Sequence, residues 1–130
     1  MAASEADFQT ELLKAFQKMG WHAFKVAKLS FGGVPDIYVK APGYPSVWLE
    51  LKYGRLNLSP LQRQWMKKEQ KAGGKVGWAV CEKIDREWHL YMGTDPDVVL
   101  WRQGTWVQTR GVGEPWHVHN ILHAIAGDGK

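Results

Sequence analysis

Three ionisable residues lie close together in a stretch of the chain that is otherwise built from apolar runs and turns. Asp36 begins one apolar run, and Glu50 and Lys52 lie two positions apart inside the next. Because strand side chains alternate between two faces, Glu50 and Lys52 point to one face while Leu49 and Leu51 point to the other. An unpaired charge buried there costs several kcal/mol, so a partner is required. A hard divalent cation shared by Asp36 and Glu50, with Lys52 beside its water, is one solution; a structural Glu–Lys pair on a solvated face is the other.

The motifs around these residues favour the metal site. The chain has G-V-P-D up to Asp36, E-L-K from Glu50 to Lys52, and L-S-P-L-Q up to Gln62. Together they resemble the PD-(D/E)XK nuclease superfamily and, within it, the VRR-NUC group, which is similar to Holliday-junction resolvases. The resemblance covers residues 5–81. It implies an α/β, restriction-endonuclease-like fold, in which a central mixed β-sheet is flanked by α-helices.

The resemblance also implies an activity and its cofactor. The expected function is that of a metal-dependent, structure-specific DNA endonuclease, which hydrolyses phosphodiester bonds in branched DNA, above all four-way junctions, as a homodimer. Mg²⁺ or Mn²⁺ would be bound by Asp36, Glu50, the backbone carbonyl of Leu51 and an acid from the first helix. Lys52 would orient water or stabilise charge on the phosphate.

Which residue of the first helix completes this site is left open by the sequence. Phe8 and Leu12 begin an apolar stripe, and Glu5 falls near its centre with Gln9 beside it. Glu5 is preferred in catalysis and metal binding, Gln9 is a plausible neutral substitute, and Glu11 is a fallback. A charge near the helix start is an equally good explanation of Glu5.

Gln62 has two interpretations of similar weight. Ser59, Pro60 and Gln62 form a helix start with a cap, a proline at the first helical position and a capping-box glutamine. In the resembling family, a glutamine at this place reaches the catalytic centre. The sequence therefore predicts a helix start here and names Gln62 as a candidate catalytic residue.

Basic residues crowd the loop and the helix that follow the E-L-K motif. A lysine-rich helix face is usually only solvated, but beside a nuclease centre the same charges would bind phosphates. The predicted DNA-binding residues are Arg55, Arg63, Lys67, Lys68 and Lys71.

The elements that must position these groups follow from periodicity and turn signals. A helix is predicted from Ser4 to Gly20, and a second one from Ser59 to Gly73, with Leu61, Trp65 and Ala72 facing inward. The predicted strands are 21–30, 36–39, 46–53 and 75–82, then short runs at 88–92, 98–102 and 105–109, with a hairpin at RQGTW and a helical stripe within 116–126. Trp48 shares a face with Glu50 and is a candidate wall of the site.

Composition sets the outer bounds of the interpretation. The length of 130 residues suits one domain, residues 1–130. The net charge of +4 and the pI near 9.2 suit a polyanionic partner such as branched or duplex DNA. The amino terminus shows no signal peptide, no run is long enough to span a membrane, and the lone Cys81 is expected to be a buried, inert thiol. We expect a cytoplasmic protein, bacterial or phage-encoded.

Two other functions remain open from the sequence. A non-catalytic DNA-binding module could keep the same acids and lysine as structural pairs. A nuclease subunit of a larger recombination or packaging complex would need a partner. The part from 82 to 130 matches no family pattern, and it and the eight tryptophans are candidates for a dimer surface, although some tryptophans could stack on bases.

Overall fold

The computed structural model describes residues 4–27, 32–109 and 117–127. Within these ranges the chain forms one six-stranded sheet and three α-helices. The helices are α1 (Glu5–Lys18), α2 (Pro60–Lys71) and α3 (Val118–Ala126). The strands are β1 (His22–Lys25), β2 (Ile37–Lys40), β3 (Val47–Tyr53), β4 (Lys75–Ile84), β5 (Glu87–Gly93) and β6 (Thr105–Thr109), and a 3₁₀ helix spans Trp101–Gln103.

The sheet is mixed, and its strands lie side by side in chain order. β3 and β4 run parallel, whereas the other neighbouring pairs are antiparallel. A parallel pair needs a crossover connection, and α2 supplies it between β3 and β4. The predicted α/β fold with a central mixed sheet flanked by helices is confirmed.

Helices cover both faces of the sheet and create two apolar cores. On one face, α1 and α3 pack over β3, whose Leu49 and Leu51 are fully buried. On the other face, Met66 of α2 and Trp101 of the 3₁₀ helix pack over β4. Because β3 alternates, Glu50 points away from the first core and towards the face that α2 covers.

The start of α1 follows from ordinary helix chemistry. The Ser4 side chain accepts a hydrogen bond from the Asp7 N–H at 3.2 Å, which caps the first turn. Phe8, Leu12 and Phe16 recur at helical spacing and are fully buried. This packing orients the amino-terminal turn of α1, which carries Glu5, relative to the sheet.

Several predicted boundaries and faces differ from the structure. β1 is shorter than the predicted strand 21–30, and 28–31 lie outside the described residues, as does Trp116 of the last predicted segment. The inward face of α2 was wrong at two positions: Leu61 is 54% exposed and Ala72 is exposed, while Met66 is buried. The face of α2 that contacts the sheet is therefore rotated about the helix axis from the predicted one. The Gln70 side chain lies on this face and donates a hydrogen bond to the Val76 carbonyl of β4.

The predicted strand 98–102 and the RQGTW hairpin are also wrong. Residues 98–100 are irregular, and the 3₁₀ helix turns the Trp101 ring onto Tyr91 of β5 with centroids 5.1 Å apart. The Trp101 side chain therefore holds this segment against the sheet, and residues 98–102 do not pair with a strand. In the described residues, no helix is both long and apolar enough to cross a membrane.

Candidate active site

The register between β2 and β3 sets the position of Asp36 relative to Glu50. Ile37 pairs with Leu49, and extending this antiparallel register by one residue places Asp36 opposite Glu50. Opposed residues of an antiparallel pair point to the same face, with Cβ atoms about 4.5–5.5 Å apart. The structure therefore brings the two predicted metal-binding carboxylates together at the start of β2.

Pro35 ends the β2–β3 ladder at the next position, opposite Leu51. Proline has no N–H, so it cannot donate to the Leu51 carbonyl. The Leu51 N–H donates instead to Asp36 Oδ2 at 2.8 Å. Because the N–H and C=O of one strand residue face the same neighbour, the Leu51 carbonyl also points to the side on which Asp36 lies. It is an oxygen that a cation can use.

Glu50 is a buried carboxyl group, with 3% of its surface exposed. Its Oε2 accepts a hydrogen bond from Gln62 Nε2 at 3.2 Å and lies 3.6 Å from Lys52 Nζ. Its Oε1 is buried and has no hydrogen-bond partner among the described residues. Burial, and then the negative charge of Asp36, raise the pKa of Glu50 from 4.5 to about 9, since the attraction of Lys52 is too weak to offset them.

The Gln62 side chain takes part in the predicted capping box and also contacts Glu50. Its Oε1 accepts a hydrogen bond from the Ser59 N–H at 2.9 Å, and the Ser59 hydroxyl accepts one from the Gln62 N–H at 3.1 Å. This is a complete capping box. The Nε2 of the same side chain reaches Glu50. The start of α2 is therefore connected directly to the buried carboxyl group.

A glycine allows the loop before Pro35 to lie against α2. Gly33 has φ +77°, and a Cβ at this position would lie 2.6 Å from the carbonyl oxygen of Leu61. Both the backbone conformation and the lack of space exclude a larger residue. Gly33 thereby brings the Pro35–Asp36 segment close to the first turn of α2.

These elements enclose a cleft with a volume of about 370 Å³. All six predicted catalytic side chains line it: Glu5, Gln9, Asp36, Glu50, Lys52 and Gln62. They come from α1, from the segments at the start of β2 and within β3, and from α2. The sequence motifs therefore meet at one place, although they are spread over two helices and two antiparallel strands.

The three candidates on α1 have different positions. Glu5 and Gln9 line the cleft, and the charge of Glu5 contributes a little to the raised pKa of Glu50. Glu11 does not line it; its charge acts on Cys81 instead, whose pKa burial raises to about 12. Cys81 is buried, as predicted. Glu11 is therefore a poorer candidate than Glu5 or Gln9.

The donor set fits a hard cation with few protein ligands. Among the described residues, no group of three His, Cys, Asp or Glu side chains is close enough to hold a metal ion, so Glu5 does not complete a three-carboxylate set in this structure. Mg²⁺ is usually bound through one or two carboxylates, with waters and substrate phosphates filling the other positions. Asp36, Glu50 and the Leu51 carbonyl meet that requirement, and Glu50 Oε1 has no hydrogen-bond partner among the described residues that would compete with a cation.

The predicted DNA-binding residues are not equivalent in the structure. Arg63 and Lys67 both lie near Asp97, with N–O distances of 3.9 and 2.6 Å. Arg55, Lys68 and Lys71 are exposed. Asp97 therefore offsets part of the positive charge on one side of α2, and no sequence motif indicates this pairing.

Lys25 was not singled out from the sequence, but it lines the cleft. It also borders a smaller adjoining groove of about 160 Å³ together with Gln9, Lys14 and other residues of α1. An alternating strand pattern shows only that Lys25 lies on one face of β1. Its proximity to the cleft depends on how α1 packs on the sheet. Trp48 lies on the same sheet face as Glu50 but outside the cleft lining, so the predicted wall is wrong.

Comparisons with known proteins show a structural similarity but no sequence match. No protein-family model matches the chain, and no curated protein sequence matches it. Among solved structures, the chain is similar to Hjc, a Holliday junction resolvase from the archaeal hyperthermophile Archaeoglobus fulgidus, with 25% identity and a TM-score of 0.47. The similarity covers 64% of this chain and 71% of the Hjc chain. Membership of the VRR-NUC group remains a prediction.

Proposed function

We propose that this protein is a metal-dependent, structure-specific endodeoxyribonuclease that hydrolyses phosphodiester bonds in branched DNA, with four-way junctions as the expected substrate. The observation that supports this function is the meeting of Asp36, Glu50 and Lys52 in one cleft, where a buried Glu50 oxygen has no partner among the described residues. A structural Glu–Lys pair on a solvated sheet face does not require Glu50 to be 3% exposed.

The proposed cofactor is Mg²⁺ or Mn²⁺, held by Asp36, Glu50 and the Leu51 carbonyl, because hard cations prefer carboxylate and carbonyl oxygens. When bound, such an ion supplies Lewis-acid chemistry, which activates water and neutralises charge on a phosphate. A proton on Glu50 competes with the cation for the same oxygens, so binding is favoured as the pH rises.

The side chains of the protein prepare this site before DNA binds. Lys52 is held beside Glu50 with 14% of its side chain exposed, so its ammonium group is accessible from the cleft. There it can stabilise negative charge that develops on the phosphate during attack. Gln62, in the first turn of α2, donates a hydrogen bond to Glu50 Oε2 and thereby orients the carboxyl group.

The proposed partners are DNA and a second copy of the chain. A four-way junction has two-fold symmetry, and a homodimer with the same symmetry could cut opposed strands at two equivalent sites. The net charge of +4 is favourable for a polyanion. Arg55, Lys68 and Lys71 are exposed and lie outside the Asp97 pairs, so they are the most available of the predicted phosphate contacts.

The test is to incubate the purified protein with labelled four-way junction, flap and linear duplex DNA in Mg²⁺, Mn²⁺ or chelator. We expect metal-dependent cleavage of branched substrates. Lys52→Ala should abolish cleavage, because the ammonium group that stabilises charge on the phosphate is lost. DNA affinity should be kept, because Lys52 is not among the predicted DNA-binding residues. Lys83→Ala, which changes an exposed lysine of β4 outside the cleft, is the matched control.

Each alternative function gives a different result in the same experiment. Tight binding with no cleavage under any metal condition indicates a non-catalytic DNA-binding module. Cleavage that appears only after a partner protein is added indicates a nuclease subunit of a larger complex. Full activity of Lys52→Ala would contradict the proposed site directly.

A further inference from the structure

Three aromatic residues form a continuous row across β1, β2 and β3. Phe24 pairs with Tyr38, and Tyr38 pairs with Trp48, in the registers of these strands. The ring centroids of the two pairs are 5.0 Å and 5.2 Å apart. His22, two residues before Phe24 on the same face of β1, packs against Phe24 and Tyr38. We call Phe24, Tyr38 and Trp48 the aromatic row.

The aromatic row lies on the same sheet face as the carboxylates of the cleft. Tyr38 lies two residues after Asp36, and Trp48 lies two residues before Glu50 on β3. Two strand residues span about 7 Å. A DNA strand with one phosphate at the carboxylates can therefore place a neighbouring nucleotide over the rings.

The open face of β1 leaves part of this row accessible to a ligand. α2 packs against β4 on this face, and its Trp65 contacts Trp48 with ring centroids 5.4 Å apart, so the accessible end of the row is at Phe24. Phe24, on the edge strand, is 42% exposed, whereas Tyr38 and Trp48 are half-buried. The exposed Phe24 ring stacks on Tyr38, so the aromatic row ends in an accessible ring at the edge of the sheet.

The charge of this part of the chain is complementary to a polyanion. Between residues 21 and 53, the acids are Asp36 and Glu50, which belong to the cleft. Of the lysines, Lys40 lies on the face of Tyr38, Lys52 lines the cleft, and Lys25 lines the cleft from the opposite face of β1. Proteins that bind single-stranded nucleic acid combine positive charge along the backbone with aromatic rings on which bases stack. A sheet that carries stacking aromatics is one known form of such a surface.

We propose that the aromatic row stacks unpaired nucleobases of the strand whose backbone enters the cleft. This inference rests on the proposed nuclease function and changes the expected order of its substrates: within branched DNA, it favours DNA with unpaired nucleotides next to the scissile phosphate, as in a flap or a fork, over a fully paired four-way junction. Bases held in a paired duplex do not present their faces, so the aromatic row discriminates between paired and unpaired arms. Continuity with the cleft favours DNA over a second copy of the chain as the occupant.

The first experiment compares two ligands on the wild-type protein, without any substitution. Binding of a labelled oligothymidylate and of a strand of equal length with abasic sites is measured in chelator, where no metal-dependent cleavage occurs. Because each stacked base adds to the affinity, we expect the intact strand to bind about tenfold more tightly or better. Equal affinity for the two strands would overturn the inference.

The second experiment removes the exposed ring. Phe24→Ala should weaken binding of the intact strand about tenfold and leave binding of the abasic strand unchanged, while Phe24→Tyr should restore the wild-type affinity. Trp106→Ala is the matched control, because Trp106 lies on the opposite edge strand, β6, and is 47% exposed. Wild-type affinity of Phe24→Ala for the intact strand would contradict the proposal.

Sedimentation of the same proteins tests the competing occupant. We expect the wild type and Phe24→Ala to have the same oligomeric state. If the wild type is a dimer that Phe24→Ala dissociates, the aromatic row is covered by a second copy and the inference is refuted.

The two proposals fail in distinguishable ways. Base-dependent binding by a protein that cleaves no DNA refutes the nuclease function alone. Cleavage of branched DNA by a protein that binds intact and abasic strands equally refutes base stacking alone.

Discussion

The buried carboxyl group of Glu50 should make the metal-free protein less stable as the pH rises. Burial and the charge of Asp36 raise the pKa of Glu50 from 4.5 to about 9. A raised pKa means that the fold favours the neutral form, so its stabilising contribution is complete below the unfolded-state pKa and is lost as the pH approaches 9. Between about pH 5 and pH 8, at about 1.4 kcal/mol per pH unit, the expected loss is about 4 kcal/mol.

Glu50→Gln isolates this contribution, because an amide has nearly the same shape as a carboxyl group and does not titrate. Relative to the variant, the wild type should lose about 4 kcal/mol in its free energy of unfolding over this pH range. With a slope of about 2 kcal/mol per molar urea, the difference between the two unfolding midpoints should change by about 2 M. The assay is urea unfolding in chelator at both pH values.

The control for other titrating groups is Asp85→Asn, in the exposed turn between β4 and β5. Its stability curve should run parallel to that of the wild type. Adding Mg²⁺ or Mn²⁺ at pH 8 should raise the unfolding midpoint of the wild type and not that of Glu50→Gln, since a ligand that binds the folded state stabilises it by mass action. If the wild type and Glu50→Gln had the same pH dependence in chelator, the argument for a neutral, buried Glu50 would be wrong.

Three further substitutions test separate parts of the structure. Asp97→Asn should release Lys67 on α2 and raise DNA affinity with a steeper salt dependence, by nearly one unit of slope for each added phosphate contact, in a salt titration; an unchanged slope removes this side of α2 from the interface. Gly33→Ala should lower stability by about 1–3 kcal/mol in thermal unfolding, because it combines a positive φ with a clash against Leu61; an unaltered melting temperature would contradict the close packing. Asp36→Asn should weaken Mn²⁺ binding about tenfold or more in calorimetry, and wild-type affinity would exclude Asp36 as a ligand.

Local patterns were sufficient to predict the elements that carry the site. Strand alternation placed Glu50 and Lys52 on one face, and the structure has both lining one cleft. The sequence of Ser59, Pro60 and Gln62 predicted a helix start, and the capping box is formed. These signals are short-range, so they hold whatever the rest of the chain does.

Features that depend on distant contacts could not be predicted in the same way. The inward face of α2 is set by Met66 and by the hydrogen bond of Gln70 to the sheet, and not by the apolar residues alone. The pairing of Asp97 with α2 joins segments far apart in sequence. The 3₁₀ helix at Trp101 forms because one ring packs on Tyr91, which no local propensity records.

The double use of Gln62 restricts what evolution or a protein engineer can place at this position. Glutamate at the third helical residue would serve the helix start as well as glutamine does. It would also present a second negative charge to the buried Glu50, where the amide now donates a hydrogen bond. Glutamine and glutamate would therefore serve the stability of the fold equally well, whereas only glutamine also donates the hydrogen bond to Glu50 in the cleft. We therefore expect a homologue with glutamate at position 62 to keep the fold and to lack the activity proposed for the cleft.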